Sequence, residues 1–163
     1  MTQRQRNLID KLAGLIPGYR GHADRDARRT SDKLLRESIA AQLILMQRDV
    51  DTLMLERVDE GNLGGLDDLD RLKRELGACA DAFRHAPAGG SGLMDDMVVT
   101  AADLDRVLQH DLDLQQVTVE LGAALADPAA AGDGDAVLAL RPRVRALRDS
   151  IARREDVLRQ VFD

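Results

Sequence analysis

Ile16-Pro17-Gly18-Tyr19-Arg20-Gly21 leads into the charged run His22-Ala23-Asp24-Arg25-Asp26-Ala27-Arg28-Arg29-Thr30-Ser31-Asp32-Lys33. That run enters Leu34-Leu35-Arg36-Glu37-Ser38-Ile39-Ala40-Ala41-Gln42-Leu43-Ile44-Leu45-Met46 without a break. Pro17-Gly18 is a turn signature, because proline fixes φ and glycine is free to take positive φ. No glycine or proline follows between Gly21 and Gly61. The stretch predicts a tight turn feeding one long central helix, about residues 24–60, roughly 54 Å at 1.5 Å per residue. Asp24 and the Thr30-Ser31 pair are alternative starts, since all three side-chain types cap the free N–H groups of a first turn.

The lower half of this helix is apolar nearly all round, in Leu43-Ile44-Leu45-Met46 and Leu53-Met54-Leu55. A helix apolar on two faces belongs in the middle of a bundle. Steps of four and three trace a seam through Arg28, Asp32, Leu35, Ile39, Gln42, Met46, Val50 and Leu53. Arg28 and Asp32 thus stand on the line that faces other helices. Both are expected to be at least half buried and satisfied by ion pairs or backbone hydrogen bonds. Arg28, Asp32 and Arg36 also form an i, i+4 ladder.

Outward from this helix, four more amphipathic segments can be read. Residues 3–16 carry Leu8, Ile9, Leu12, Leu15 and Ile16 on one face, ended by Gly14 or Pro17. After the break Gly61-Asn62-Leu63-Gly64-Gly65, a helix opens with Asp67-Asp68, which its dipole favours. Its face is Leu66, Leu69, Leu72, Leu76, Cys79, Ala80 and Phe83. Residues 87–99 form the main irregular insertion. Thr100-Ala101-Ala102-Asp103 resembles a capping box. The helix it opens has Leu104, Leu108, Leu112 and Val119 on one line, with Val107, Leu114, Leu121 and Leu125 on another. A small-residue linker, 128–134, and a short helix at 135–140 follow. Pro142 suits the first turn of the last helix, whose face is Val144, Leu147, Ile151, Leu158 and Val161. The fold expected is all-α, a single domain built as an antiparallel bundle of four to five helices.

The 163 residues suit one core. Aromatics are only 2 %, so that core must be built from Leu, Val, Ile, Ala and Met. The single cysteine, Cys79, excludes an internal disulfide and a cysteine-based zinc site, and reads as a small core residue. The start of the chain has no apolar h-region, and no run approaches the length of a membrane span, so a cytoplasmic protein is expected. Net charge is −6, unevenly spread. Residues 1–48 hold 10 basic and 5 acidic side chains, 49–127 hold 6 and 18, and 128–163 hold 7 and 6. The plain reading pairs basic outer helices with acidic middle ones; the sharper reading is a basic end that docks on an anionic partner. An acidic chain disfavours nucleic-acid binding, which needs dense phosphate neutralisation.

Catalytic patterns are missing. His22, His85 and His110 lack a glutamate three residues before them, so no di-iron bundle motif exists, and there is no His-Glu-x-x-His. No cofactor or metal is expected. His110, between Val107 and Leu114, reads as a hydrogen-bonded core histidine rather than a base. Glu56-Arg57-Val58-Asp59-Glu60 only loosely resembles the Glu-x-x-Glu of all-helical nucleotide pyrophosphohydrolases. Arg25, Arg29 and Lys33 make a cationic i, i+4 row that could hold an anion or an acidic segment. The last helix adds Arg141, Arg143, Arg145, Arg148, Arg153, Arg154 and Arg159; packed beside that row, it would extend one basic surface.

Ile16-Pro17-Gly18-Tyr19-Arg20-Gly21, Arg28-Arg29 and Asp32-Lys33-Leu34-Leu35-Arg36 together resemble a family of bacterial all-helical proteins of uncharacterised activity. Its motif runs Ile-Pro-Gly-Tyr-x-Gly, then Arg-Arg-x-x-Asp-Lys-Leu-Leu-Arg. The likeness continues in Asp67-Asp68-Leu69, Phe83-Arg84 and Leu93-Met94-Asp95. Family members have an aromatic where His22 stands, Leu where Ala27 stands, and a Phe pair in place of Leu93-Met94. These departures remove the aromatics on which a stacking role for the 87–99 loop would depend. The resemblance implies a helical fold, a bacterial cytosol, and partners among stomatin-like membrane-scaffold and zinc-ribbon proteins.

The function expected is that of a non-enzymatic helical interaction or adaptor protein. Gly18, Tyr19, Gly21, Arg25, Arg28, Arg29, Asp32, Lys33 and Arg36 are the expected partner- or anion-binding residues. A homodimer is a further expectation. The alternatives are a peripheral membrane protein using the same row on anionic headgroups, and a metal-dependent nucleotide hydrolase using acids of the middle helices.

Overall fold

Thr2 opens the first helix with a capping box: its hydroxyl accepts from Gln5 N, and the Gln5 side chain accepts from Thr2 N at 2.9 Å. This helix, α1, spans Gln3–Leu15 in the computed structural model, which describes residues 1–22, 24–86, 100–127 and 139–162. Arg25, Glu155 and residues 158–162 are described through their backbone alone. The expected 87–99 insertion and the 128–134 linker lie outside the described residues, as does nearly all of the short helix at 135–140.

The long helix α2 spans Arg25–Asp59, about 52 Å. It starts at the earlier of its two signals, where the Asp24 carboxylate accepts from Ala27 N at 2.8 Å. Ser31 is released from capping for a different task. Its hydroxyl donates to the Gly21 carbonyl at 2.8 Å and accepts from Arg20 N at 3.1 Å, which staples the turn to the helix. After the glycine break come α3 (Leu66–His85), α4 (Ala101–Leu125) and α5 (Leu140–Phe162). Thr100 and Asp103 complete the expected capping box at the start of α4.

The architecture is an all-helical bundle. Helix α2 packs most extensively on α3; α4 packs on α1, α2 and α5; α5 packs on α3 and α4. The α2–α3 hairpin is antiparallel, because Gln47 donates to the Lys73 carbonyl while Arg36 reaches the Ala86 carbonyl, each at 3.0 Å. The core is leucine-rich. Leu35, Ile39, Leu43, Leu69, Leu72, Leu76, Phe83, Leu108, Leu121 and Leu147 are all fully buried. Each such side chain contributes about 1.5–3 kcal/mol by leaving water.

On α2 the seam runs as expected. Leu35, Ile39, Met46 and Val50 are buried, Gln42 and Leu53 half-buried, Asp32 buried and Arg28 partly buried. On α4 the structure differs from the expectation. Val119 is exposed, and the inward line carries Asp111, Gln115 and Thr118 between Leu108 and Leu121. Leu108 and Leu112 stay buried; Val119 is only about 20° round the helix from Leu112, but it lies further along α4 than the contacts that α1 and the turn make at Ala101 and Leu108.

The acidic middle of the chain meets its basic last helix. Glu75 accepts from Arg141 Nη2 at 2.9 Å and from Arg145 Nε at 3.0 Å, and Arg143 approaches Glu120 at 3.9 Å. Burial would raise the Glu75 carboxyl, but the Arg141 and Arg145 hydrogen bonds outweigh it and lower it. Arg141 and Arg145 therefore face α3 and do not extend the Arg29–Lys33 row. Among the described residues, no helix is long and apolar enough to cross a membrane.

Candidate functional site

Asp111 on α4 has no solvent exposure, so its charge must be answered inside the protein. Its Oδ2 accepts from the Tyr19 hydroxyl and lies against His22 Nε2, each at 2.7 Å. A carboxylate only accepts, so His22 carries its proton on Nε2. Its Oδ1 accepts from Arg154 Nε at 2.9 Å. Arg154, 3 % exposed, donates through Nη1 to Asp32 Oδ1, and Asp32 is 2 % exposed. Asp32 Oδ2 in turn accepts from Arg36 Nε at 3.0 Å, with Arg36 Nη2 at 2.9 Å. Arg36 Nη1 then donates to the Ala86 carbonyl just beyond α3.

One chain of charge-assisted hydrogen bonds thus ties together the turn, α2, the end of α3, α4 and α5. Burial disfavours the Arg154 cation, yet Asp111 and Asp32 outweigh it and raise its affinity for the proton. Burial would likewise raise the Asp111 carboxyl; the Arg154 charge and the His22 hydrogen bond overcome this and hold it well below the usual carboxylate range. The Tyr19 phenol is raised by burial, and further by Asp111 beside it. Its proton stays in place as a donor.

The turn is shaped to deliver Tyr19 and His22. Gly21 has φ +75°, and a Cβ there would lie 2.6 Å from Ile9 Cδ1. Glycine meets both the left-handed backbone and the close approach of α1. Gly18 takes φ +85°.

The expected binding residues separate into two groups. Tyr19, Gly21 and Asp32 face inward, and solvent reaches none of them appreciably. Arg36 is largely buried and bound to Asp32. Arg29 and Lys33 lie on the outer side of α2, with Lys33 3.8 Å from Glu37. Arg28 sits between the two groups, and the Arg25 side chain lies outside the described residues. A polar cleft of about 440 Å³ opens where Lys33, Arg36, Glu37 and Ala41 of α2 meet Arg84 of α3.

The reading of the sequence missed His22, Ser31, Asp111 and Arg154 as members of one site. The signal was present in the spacing. Arg154 follows Ile151 by three on the α5 seam, as Asp111 follows Leu108 on α4, so each repeats the logic that marked Asp32. His110 differs from the expected hydrogen-bonded core histidine: it is partly exposed and forms no hydrogen bond with a described group. Cys79 is fully buried, and burial pushes its thiol up to about 12, so it stays protonated. Among the described residues no three His, Cys, Asp or Glu side chains gather as a metal site. Comparison with protein-family models, curated proteins and solved structures returned no match.

Proposed function

We propose that this protein is a non-enzymatic helical interaction protein that binds an acidic segment of a partner protein at the start of α2. The observation that supports this reading is the cleft lined by Lys33, Arg36 and Arg84. Arg84 and Arg29 are exposed, and neither forms an ion pair with a described side chain. Lys33 has one loose surface contact, of the kind worth at most about 1 kcal/mol. The buried network beneath holds Arg36 and the helix start in place, so the cationic face is ordered before a partner arrives. Preorganisation of this kind lowers the entropy cost of binding.

Affinity capture with crosslinking from the native cell, followed by titration of the purified partner, tests this. Arg29→Glu, Lys33→Glu and Arg84→Glu together should weaken binding by at least about tenfold. The melting temperature should stay within about 2 °C, because all three are surface positions. Undiminished binding by the triple variant would overturn the reading. Flotation with anionic and neutral vesicles separates it from the membrane alternative, which requires lipid-charge-dependent binding lost in the same variant.

A further inference from the structure

Two opposite charges border one apolar cleft between α4 and α5, and neither is paired with a described side chain of opposite charge. The cleft holds about 260 Å³ and is lined by His110, Asp113, Leu114 and Val117 from α4, with Leu147 and Arg153 from α5. This lies below the roughly 300–1,000 Å³ of drug-sized sites, so the cleft suits a small molecule. Asp113 and Arg153 form no ion pair with each other or with any other described side chain. Asp113 Oδ1 accepts from Gln109 at 2.8 Å, which draws the carboxylate toward the start of α4. Arg153 Nη2 reaches back to the Ala146 carbonyl at 3.4 Å, toward the start of α5. The two helices are antiparallel, since Arg154 meets Asp111 and Arg143 meets Glu120. The carboxylate and the guanidinium are therefore drawn apart along the cleft rather than toward each other.

A lone anion in this cleft would meet Asp113, and a lone cation would meet Arg153. A zwitterion answers both. His110 adds no third charge: burial, more than any neighbouring charge, lowers its imidazole and keeps it neutral. Its Nδ1 is buried without a partner among the described residues.

We propose that the α4–α5 cleft binds a small zwitterion, an α-amino acid with an apolar side chain. Its ammonium group sits on Asp113, its carboxylate on Arg153, and its side chain against Leu114, Val117 and Leu147. The site is separate from the cationic face on α2, and its occupancy does not depend on a protein partner.

Titration calorimetry on the full chain with L-leucine tests this, with isocaproate and isoamylamine as matched probes lacking the ammonium and the carboxylate. The expected result is saturable binding of leucine, with each truncated probe at least about tenfold weaker. Arg153→Gln and Asp113→Asn, both at exposed positions, should each lose about tenfold with an unchanged melting temperature. Val117→Trp at the rim, where Val117 is 38 % exposed, should fill the cleft and abolish binding. Three results would overturn the proposal: no saturable binding of leucine, isoleucine or phenylalanine; equal leucine binding by the two charge variants; or isocaproate binding as tightly as leucine.

Discussion

Asp32 and Arg154 stand 122 residues apart in the chain and meet inside the protein, Arg154 Nη1 donating to Asp32 Oδ1. The contact joins the start of the longest helix to the last helix. Through Arg154 Nε it also reaches Asp111, so one guanidinium bridges two buried carboxylates.

Removing that bridge should be costly. Arg154→Met leaves Asp32 with Arg36 but takes from Asp111 its cationic partner. A loss of about 3–5 kcal/mol in denaturant unfolding is expected. Replacing Asp32, Asp111 and Arg154 together by apolar residues of similar volume should cost less than Arg154→Met alone, because no fully buried charge is then stranded; Arg36 loses Asp32 but lies at the edge of the network and keeps the Ala86 carbonyl. A triple variant less stable than the single one would show that the network contributes more than the cost of desolvating it.

Tyr19 is the only tyrosine in the chain, so near-ultraviolet titration reads it alone. Its folded pKa lies above the ordinary value of 10.0, owing to burial and then Asp111. The contribution of the buried phenol to stability is therefore complete below about pH 10 and is lost as pH rises toward the folded value. Tyrosinate should appear only together with unfolding. Ionisation near pH 10 with the helical signal intact would contradict the burial.

Acid acts through Asp111 in the opposite sense. Its folded pKa is depressed below 3.8, so its contribution is present above that value and is lost as pH falls below about 4. Unfolding free energy should decline over this range in the native chain, with a shallower slope in Asp111→Asn. Identical slopes would place the acid sensitivity elsewhere.

Gly21→Ala tests the shape of the turn. The substitution meets positive φ and a contact with Ile9, and should destabilise by about 1–2 kcal/mol. Gly18→Ala meets positive φ but only ordinary contact with Leu34, and should cost less. A melting-temperature comparison of the two orders them.

Tyr19→Phe removes one hydrogen bond to a buried carboxylate, for which a loss of about 1.5–3 kcal/mol is expected. A loss well under 1 kcal/mol would mean that His22 and Arg154 satisfy Asp111 by themselves.

Sequence alone determined the helices, because helical order is local. Residue spacing marks the buried stripe, Thr100 with Asp103 marks a start, and Gly61 to Gly65 mark a stop. It also placed Asp32 on an inward line, since that inference needs only the seam through Leu35 and Ile39. Which partner answers Asp32 was decided by the tertiary structure. Arg154 is one of seven arginines from residue 141 onward; its spacing from Ile151 turns it inward, but nothing local says that it answers Asp32 and Asp111 while Arg141 and Arg145 turn to Glu75. That choice depends on the rotation and height of α5 against α3 and α4, set by packing of Val144, Leu147 and Ile151. Packing of α1 and α2 on α4 likewise joins Tyr19 and His22 to Asp111, and packing of α5 on α4 forms the cleft bordered by Asp113 and Arg153. Charges far apart in the chain are brought together by the apolar faces beside them, and the position of those faces relative to one another exists only in the folded bundle.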